Sequence, residues 1–382
     1  MPGSRSLTVA LDATPLLGVR TGIGVAVAEI LEALNRLPAA PDVAPYALSL
    51  SARAHRNRLP TGTRFPPVPA RVLLRAWTRF DVPRIDRWLR PANVLHATNY
   101  LAPPSRLATV VSVYDCSFVR NPEWCTPEVR AFAPALRRAV ERGVTIHTGS
   151  HAIAAEIDTI FGPGLAAAGR IAVVPLGAPP IDLVEASAPA MRAFTEDART
   201  VVAIGRQEPR KNLPALVRAF GSVAATRDDT RLVLVGPEGP DRPAIDREVR
   251  ALPPDIRARV HLVGVISDPE KCALLRDATV MAYPSRYEGF GFPVLEAMQV
   301  GVPVVATAVG SIPEVAGDAA VLVAPDDDGA LAEAIATLLD DPDRRAGLVS
   351  AGISQAATFS WDATARGLVD LYMDLAREDG TR

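Results

Sequence analysis

Residues 288–296 read EGFGFPVLE, and this stretch decides the fold because two different sequence patterns meet in it. Before it, residues 278–283 form a short apolar run that predicts a buried strand. Pro293 suits the first turn of a helix, where a missing N–H costs nothing. The sequence therefore predicts a strand, a glycine-rich turn and a helix, with Glu288 on the turn and Glu296 on the first turn of the helix.

The two glycines beside Phe290 allow the backbone to come close to a ligand. A helix N-terminus also offers unpaired N–H groups and a positive dipole end to an anion. The stretch therefore predicts a site for a phosphorylated sugar or a nucleotide. The alternative is a surface glutamate followed by a glutamate that the helix dipole favours.

Outward from this stretch, short apolar runs alternate with longer amphipathic ones, which is typical of βα units in a mostly parallel sheet. The strands predicted in the first half are residues 7–13, 45–51, 93–99, 109–115, 144–150 and 171–177. Those predicted in the second half are residues 199–205, 231–237, 260–265, 278–283, 303–308 and 320–323. Six strands in each half predict an α/β protein with two doubly wound, Rossmann-like domains.

The domain boundary is expected near residues 177–199, where three prolines interrupt the periodicity. The predicted domains are residues 1–180 and 190–360, followed by a terminal segment at 361–382. Open α/β sheets bind ligands at the carboxyl ends of their strands. Two such domains facing each other across a cleft would bring two substrates together.

The composition of the 382 residues is that of a soluble globular protein, with 48% hydrophobic and 22% charged residues. A net charge of −2 gives no reason to expect a nucleic-acid partner. The sequence shows neither a run of about 18 apolar residues nor a cleavable leader pattern, so we expect a cytoplasmic protein. Three cysteines without a C-x-x-C pair are expected to be buried thiols.

A second motif occurs at residues 201–212, VVAIGRQEPRKN, where a predicted strand ends in a glycine and a basic loop. Together with residues 288–296, it resembles the retaining glycosyltransferases of the GT-B fold, in particular family 4 and its mannosyltransferases. The resemblance implies that Arg206 and Lys211 hold the diphosphate of the donor. The alternative for these two cations is a solvated basic loop.

The resemblance also assigns the acidic element. Glu296 would accept hydrogen bonds from the donor ribose. Glu288 and the N–H groups of Phe290 and Gly291 would hold the sugar and its phosphate, and the nucleotide base would lie near Val265. In this family the last helix crosses back to the first domain, and residues 361–377 fit that helix.

In the first domain, Gly22 and Gly24 follow the first predicted strand and open a helix, and family members carry a similar glycine pair that approaches the donor phosphate. A lone G-x-G is weak evidence, because a tight turn explains it equally well. A dinucleotide fingerprint is not predicted, since Val27 occupies the third glycine position.

The predicted acceptor-binding residues are His96, Asn99 and Tyr100, at the end of the third predicted strand. Relatives often carry a histidine before Asp115 that contacts the reacting sugar, whereas this chain has Tyr114. With a pKa of about 10, tyrosine is a poor general base at neutral pH. Asp115 or His96 would then serve, or the reaction needs no strong protein base.

Two further features, His147 and the aspartates at residues 326–328, are interpreted as structural. We interpret His147 as a strand-end histidine whose hydrogen bonds are satisfied, an alternative that also applies to His96. Residues 326–328 read DDD and look like a metal-binding acid pair, but a helix cap before residues 329–339 explains them better. We therefore predict no metal site and no cofactor besides the donor substrate.

Residues 53–90 contain ten arginines and two aspartates, and within them Leu73, Leu74, Trp77 and Phe80 recur at helical spacing. One interpretation is a helix that packs against the first domain. The other is a peripheral contact of Arg71–Arg90 with an anionic membrane, on its inner face, or with an anionic acceptor.

The function implied by the resemblance is transfer of a hexose, with GDP-mannose preferred over UDP- or ADP-glucose. The acceptor is a glycan, a lipid or a small molecule. Two alternatives remain at this point: a GT-B-fold sugar-nucleotide epimerase, and a nucleotide-sugar-binding pseudoenzyme suggested by Tyr114.

Overall fold

The structure is a computed structural model that describes residues 7–17, 21–49, 57–66, 70–181 and 189–380. The chain divides into two compact units. The first unit comprises Met1–Gly177 and Ser360–Arg382, and the second comprises Ala178–Phe359.

Within its described residues, the first unit contains a six-stranded parallel sheet in the order β2-β1-β3-β4-β5-β6. Its strands are β1 (Thr8–Asp12), β2 (Asp42–Tyr46), β3 (Val94–Ala97), β4 (Ala108–Ser112), β5 (Thr145–Thr148) and β6 (Ile171–Val173). Its helices are α1 (Gly22–Arg36), α2 (Ala70–Trp77), α3 (Asp86–Leu89), α4 (Ser117–Arg120), α5 (Pro127–Arg130), α6 (Phe132–Glu141), α7 (His151–Phe161) and, at the end of the chain, α17 (Trp361–Gly380).

The second unit also contains six parallel strands among its described residues, in the order β12-β11-β10-β7-β8-β9. These are β7 (Arg199–Ile204), β8 (Thr230–Val235), β9 (Val260–Gly264), β10 (Val280–Tyr283), β11 (Val304–Thr307) and β12 (Val321–Val323). The helices are α8 (Pro189–Thr195), α9 (Leu213–Ala224), α10 (Arg242–Ala251), α11 (Pro254–Arg257), α12 (Asp268–Asp277), α13 (Phe292–Val300), α14 (Ile312–Ala316), α15 (Asp328–Asp340) and α16 (Pro342–Ala356).

The strand order of the second unit fixes where a ligand site lies. The chain moves outward from β7 to β9 in one direction and from β10 to β12 in the other, so β7 and β10 are neighbours. In doubly wound sheets the crevice beyond the carboxyl ends of such a pair is the usual ligand site. The loops that follow β7 and β10 are the ones that carry the two sequence motifs.

Every predicted strand overlaps an observed one, and the predicted α/β class is confirmed. The largest difference is at β2, which spans Asp42–Tyr46 instead of residues 45–51. Pro45 lies inside the strand because β2 is at the edge of its sheet, where a missing donor is tolerated. The apolar residues Ala47 and Leu48 extended the prediction too far, because they are buried beyond the strand end.

Helix α2 packs against the first sheet through Leu73 and Trp77, which are both 1% exposed and share a core cluster with Tyr46 and Leu95. This is the core-packed interpretation. Phe80 was predicted on the same apolar helical face, but the helix ends at Trp77 and the Phe80 side chain is 60% exposed. In the described part of the chain, no helix is both long enough and apolar enough to span a membrane.

Candidate functional site

The loop after β7 places a lysine inside the second unit. A short 3₁₀ helix at Pro209–Lys211 leads through Asn212, which has a left-handed backbone, into α9. Gly205 directly follows β7, and a Cβ there would lie 3.2 Å from Cε of Lys211. Glycine therefore leaves room for the lysine side chain, which is only 6% exposed.

The loop after β10 has the predicted turn-to-helix form. Gly291 has φ +102°, and a Cβ there would lie 2.5 Å from a methyl carbon of Ile312, so this position needs glycine. Pro293 is in the first turn of α13. Because α13 begins at Phe292, Glu296 is its fifth residue and lies beyond the first turn, which corrects the predicted placement and weakens the interpretation of Glu296 as a dipole-favoured residue.

The structure brings these two loops together at Glu288. The Lys211 ammonium donates to Oε1 of Glu288 at 2.6 Å, and the Arg210 guanidinium donates to Oε2 at 3.1 Å. Ser285 Oγ donates to Oε1 at 2.7 Å. The amide of Arg286 also donates to the Arg210 carbonyl at 2.8 Å, so backbone and side chains join the loops.

Burial and charge act against each other on this pair. Burial alone would raise the pKa of Glu288, which is 5% exposed, but Lys211 and Arg210 hold the pKa well below its usual range. Burial lowers the pKa of Lys211, and Glu288 opposes that change. Lys211 also donates to the hydroxyl of Tyr283 at 2.6 Å. Glu288 is therefore an ionised hydrogen-bond acceptor at neutral pH.

The second glutamate of the element has its own lysine. Nζ of Lys271, on α12, lies 2.8 Å from Oε1 of Glu296 and 3.2 Å from Oδ1 of Asp268. Burial raises the pKa of Glu296, and Lys271 opposes that rise. Lys211 and Lys271 are the only lysines among 41 basic residues, and each binds one of the two glutamates.

The other predicted donor-binding residues of this unit lie in different surroundings. Arg206 is open, with a side chain 56% exposed and its Nε 3.4 Å from Glu208. Phe290 is 7% exposed and packs edge-to-face against Phe292 and Phe359. Val265 follows β9 and is 74% exposed. Sequence reasoning did not select Arg210, Ser285 or Lys271, although Arg210 lies inside the basic motif.

In the first unit, Gly22 and Gly24 open α1. Thr21 is the N-cap and accepts a long hydrogen bond, 3.4 Å, from the amide of Gly24. A Cβ at Gly24 would lie 3.0 Å from the carbonyl oxygen of Pro15, whereas Gly22 is exposed. The glycine at 24 therefore has a packing reason, and the glycine at 22 remains available at the helix start.

His96 is not available to an acceptor, which corrects that prediction. Its side chain is 0% exposed, Nδ1 lies 2.6 Å from the Tyr372 hydroxyl and Nε2 lies 2.8 Å from Ser112 Oγ. Ser112 Oγ also lies 2.8 Å from Nδ1 of His147, whose Nε2 lies 3.1 Å from the Val174 carbonyl. His147 is thus a satisfied strand-end histidine, as interpreted from the sequence.

The donors and acceptors in this row of hydrogen bonds follow from the Val174 carbonyl at one end of it. A carbonyl only accepts, so Nε2 of His147 carries its proton and Nδ1 accepts from Ser112. Nε2 of His96 must then donate to Ser112, and its Nδ1 accepts from Tyr372. Burial holds the pKa of His96 well below its usual value and lowers that of His147 to about 4, so both rings are neutral.

Of the other two predicted acceptor-binding residues, Asn99 is half-buried while Tyr100 is enclosed. The Tyr100 ring is 6% exposed and stacks on Phe132 at 5.5 Å between centroids. The Tyr114 side chain is 8% exposed, and its hydroxyl has no hydrogen-bond partner within the described ranges. Burial raises the pKa of Tyr114 further, and Asp115 accepts from the amide and hydroxyl of Ser117.

The triple aspartate acts as predicted. Asp327 is the N-cap of α15 and accepts from the amide of Ala330 at 2.8 Å, while Asp328 pairs with Arg218 and Asp326 with Arg286. Across the described residues, no three His, Cys, Asp or Glu side chains group in a way that would hold a metal ion. The thiols of Cys116 and Cys272 are buried, as expected, whereas Cys125 is partly exposed.

Comparison with known proteins now identifies the class of this site. Residues 198–341, which carry both loops, match the family described as glycosyl transferases group 1. The chain is 29% identical over 289 residues to O-antigen chain mannosyltransferase B of Escherichia coli, spanning 73% of this chain and 74% of that protein. Residues 198–341 therefore match a glycosyltransferase domain, and the chain is similar to a mannosyltransferase.

Other relatives of this chain match over a shorter length. It is 33% identical to D-inositol 3-phosphate glycosyltransferase of Corynebacterium glutamicum, over 46% of this chain and 43% of that one. It is 30% identical to phosphatidyl-myo-inositol mannosyltransferase of Mycolicibacterium smegmatis, over 49% and 48%. The chain thus spans less than half the length of these two relatives.

Solved structures agree on the fold of this chain. Sucrose-phosphate synthase from Thermosynechococcus elongatus superposes with a TM-score of 0.71 at 20% identity, over 97% of this chain and 99% of that one. Anabaena HepE in complex with UDP and glucose gives a TM-score of 0.71 at 16% identity, over 96% and 100%. The predicted GT-B fold is confirmed.

Proposed function

We propose that this chain transfers a hexose, with mannose preferred, from a nucleoside-diphosphate sugar to an acceptor hydroxyl with retention of configuration. The observation that carries the proposal is the contact of Lys211 and Arg210 with Glu288 beyond the carboxyl ends of β7 and β10. A leaving diphosphate gains charge as the glycosidic bond breaks. Fixed cations stabilise that charge most where water is excluded.

The charges around this point suit a diphosphate. Arg206, Arg210 and Lys211 carry three positive charges against the two carboxylates of Glu208 and Glu288, which are all linked by contacts within 3.4 Å. One net positive charge therefore remains beside the N-terminus of α13, whose dipole also favours an anion. Because Glu288 is ionised and held by two cations, it acts as an acceptor for sugar hydroxyls and not as an acid.

The side chains of the first unit support a reaction without a strong protein base. His96 is enclosed, and the pKa of Tyr114 lies above its ordinary value because of burial. We propose that the acceptor hydroxyl attacks from the face that the diphosphate leaves. The bond from the sugar carbon to the phosphate oxygen breaks, the bond to the acceptor oxygen forms, and the departing phosphate takes the acceptor proton.

GDP-mannose is the proposed donor because the EPRKN loop at residues 208–212 resembles that of mannosyltransferases, and the chain is similar to a mannosyltransferase of Escherichia coli. UDP-glucose is the donor to compare with it, since HepE is solved with UDP and glucose. We propose a glycan acceptor, with lipid and small-molecule hydroxyls as the alternatives. No metal or other cofactor is proposed, because protein cations supply the charge at the diphosphate, so EDTA should leave the rate unchanged.

The test is transfer by Glu288→Gln, measured with GDP-mannose and UDP-glucose on a panel of glycans, lipids and small acceptors. Loss of an interaction made in the transition state should lower kcat by about a hundredfold or more. Glu333→Gln, an exposed glutamate on α15, is the matched control. Turnover of Glu288→Gln near that of the wild type would rule the assignment out.

Two further outcomes separate the rival functions. Formation of an epimer from the donor alone, without any acceptor, would identify an epimerase. Calorimetric binding of GDP or UDP without turnover on any acceptor would identify a nucleotide-sugar-binding pseudoenzyme.

We also propose a peripheral contact with an anionic membrane through residues 71–90. Val72, Phe80 and Val82 are 56%, 60% and 60% exposed, and the exposed Arg75 and Arg79 lie between Val72 and Phe80 in the sequence. Exposed apolar groups beside arginines suit an anionic lipid surface. Sedimentation with vesicles containing anionic lipid should fall for Phe80→Ser, and vesicles of neutral lipid should bind neither protein.

A further inference from the structure

Lys271 of the second unit has no role in the function proposed above, yet it contacts Glu296, a predicted donor-binding residue. Its Nζ lies 2.8 Å from Oε1 of Glu296, and the two side chains are 22% and 10% exposed. Lys271 belongs to α12 and Glu296 to α13, so the contact joins two helices. The helix-to-helix contact therefore fixes the carboxylate from outside its own helix.

An ordinary surface ion pair does not explain this lysine. Its second partner, Asp268, is 94% exposed, and such pairs contribute little. Lys271 is the fourth residue of α12, close to the helix N-terminus, where the dipole disfavours a cation. The stabilisation of α12 itself comes from the Ser267–Glu270 capping box. The charge of Lys271 therefore stabilises the carboxylate of Glu296 more than it stabilises α12.

Lys271 favours the ionised form of Glu296. Burial raises the pKa of Glu296, and Lys271 is the group that opposes the rise, while the nearby Asp268 adds to it. Lys271 also occupies only Oε1, and within the described residues Oε2 has no hydrogen-bond partner. One oxygen is thus fixed in place while the other is free to accept from a ligand.

We propose that Lys271 is a positioning residue for nucleotide recognition: it holds Glu296 ionised and oriented so that Oε2 accepts hydrogen bonds from the ribose diol of the donor. This inference rests on the proposed function, because the ribose contact of Glu296 belongs to that proposal. Lys271 itself touches no substrate and acts through Glu296.

The measurement is the ratio of the dissociation constants of 2′,3′-dideoxy-GDP and GDP, followed by calorimetry from pH 8 to pH 5. The ionisation of the diphosphate cancels in this ratio, so the ratio reports only the contact with the diol. Wild-type protein should prefer GDP by about tenfold or more, because hydrogen bonds to a charged group are strong. The preference should shrink as the pH falls, because Glu296 becomes protonated and loses its charge.

Lys271→Met should bind GDP with a smaller preference at pH 8. Its preference should also vanish at a higher pH than in the wild type, since the pKa of Glu296 rises further without its cation. Lys271→Arg should restore part of the preference. Arg276→Met removes an exposed ion pair from the same helix and should match the wild type at every pH.

The outcomes separate this inference from the proposed function. If the wild type and Lys271→Met show the same ratio at every pH, or if the wild type shows no preference while binding GDP, the role of Lys271 is overturned and the donor site stands. If the wild type binds neither GDP nor UDP, the proposed function fails, and the role of Lys271 fails with it. Equal melting temperatures of the wild type and Lys271→Met would exclude unfolding as the cause of a difference in their ratios.

Discussion

The two units of the molecule bury polar side chains in different ways. In the first unit, Tyr372, His96, Ser112 and His147 form a neutral chain that ends on a backbone carbonyl. In the second unit, two buried glutamates are held in ion pairs, Glu288 with Lys211 and Glu296 with the partly buried Lys271. The neutral chain satisfies both ring nitrogens of each histidine, whereas the ion pairs retain charge.

The neutral network and the ion pairs are expected to contribute differently to stability. A complete neutral network stabilises a single arrangement, here the packing of α17 on the first sheet. A buried ion pair is costly to desolvate and is weak evidence for stability alone. The Lys211–Glu288 pair joins the loops that follow β7 and β10, where the proposed function places the donor. We therefore predict that this pair contributes more to ligand binding than to stability.

The largest expected effect tests the charged region. Lys211→Met leaves Glu288 buried with Arg210 as its remaining cation, so we expect a loss of about 3 kcal/mol in the free energy of unfolding. The measurement is urea denaturation followed by circular dichroism. Replacing Lys211 alone should lower the free energy of unfolding more than replacing Lys211 and Glu288 together.

The double variant Lys211→Met with Glu288→Leu is the control for that comparison. It removes both charges, so it should recover most of the lost stability while remaining inactive. Equal instability of the single and double variants would contradict the view that the ion pair serves ligand binding more than folding.

The second prediction concerns the neutral chain and pH. The folded-state pKa of His147 is about 4, below its unfolded value of about 6.5, so its contribution to stability is present above pH 6.5 and is lost as the pH falls toward 4. This loss is about 3 kcal/mol. The displaced pKa of His96 acts in the same direction.

Asp12 opposes this change over the same window. Burial raises its pKa to about 6, so its protonation stabilises the folded protein as the pH falls. The comparison is therefore made in Asp12→Asn, whose unfolding free energy should decrease between pH 6.5 and pH 4. Adding His147→Asn should flatten that decrease, and an unchanged slope would show that the buried histidine does not control it.

The same contrast explains how far the sequence predicts this molecule. Apolar runs located the strands of the described residues, and the resemblance to family 4 implied that Lys211 and Glu288 hold the same donor. The sequence does not show that Tyr372 reaches His96, since the two are 276 residues apart and meet only when α17 packs on the sheet. Lys271 and Glu296 likewise meet only through the packing of α12 against α13.

A smaller effect is expected for the hydrogen bond between Tyr372 and His96 in the first unit. Tyr372→Phe removes the donor to Nδ1 of His96 and leaves that buried nitrogen unpaired, so we expect a loss of about 1–2 kcal/mol. Tyr46→Phe is the matched control, because the Tyr46 hydroxyl is buried with no hydrogen-bond partner in the described part of the chain. That variant should be neutral or more stable, and an equal loss in both would show that the hydroxyl bond to His96 is not what stabilises the unit.

The smallest effect concerns acidic residues of the second unit that lie away from the ion pairs. Asp327→Ala removes the N-cap of α15 and should cost about 1 kcal/mol in thermal or urea unfolding. Asp343→Ala is the control, since this acid in the first turn of α16 contributes only through the helix dipole and should cost less. Both variants should retain the kcat of the wild type with or without added Mg²⁺. A loss of activity in Asp327→Ala that Mg²⁺ reverses would instead place a metal at the triple aspartate, and charge in this unit would then serve chemistry at a second location.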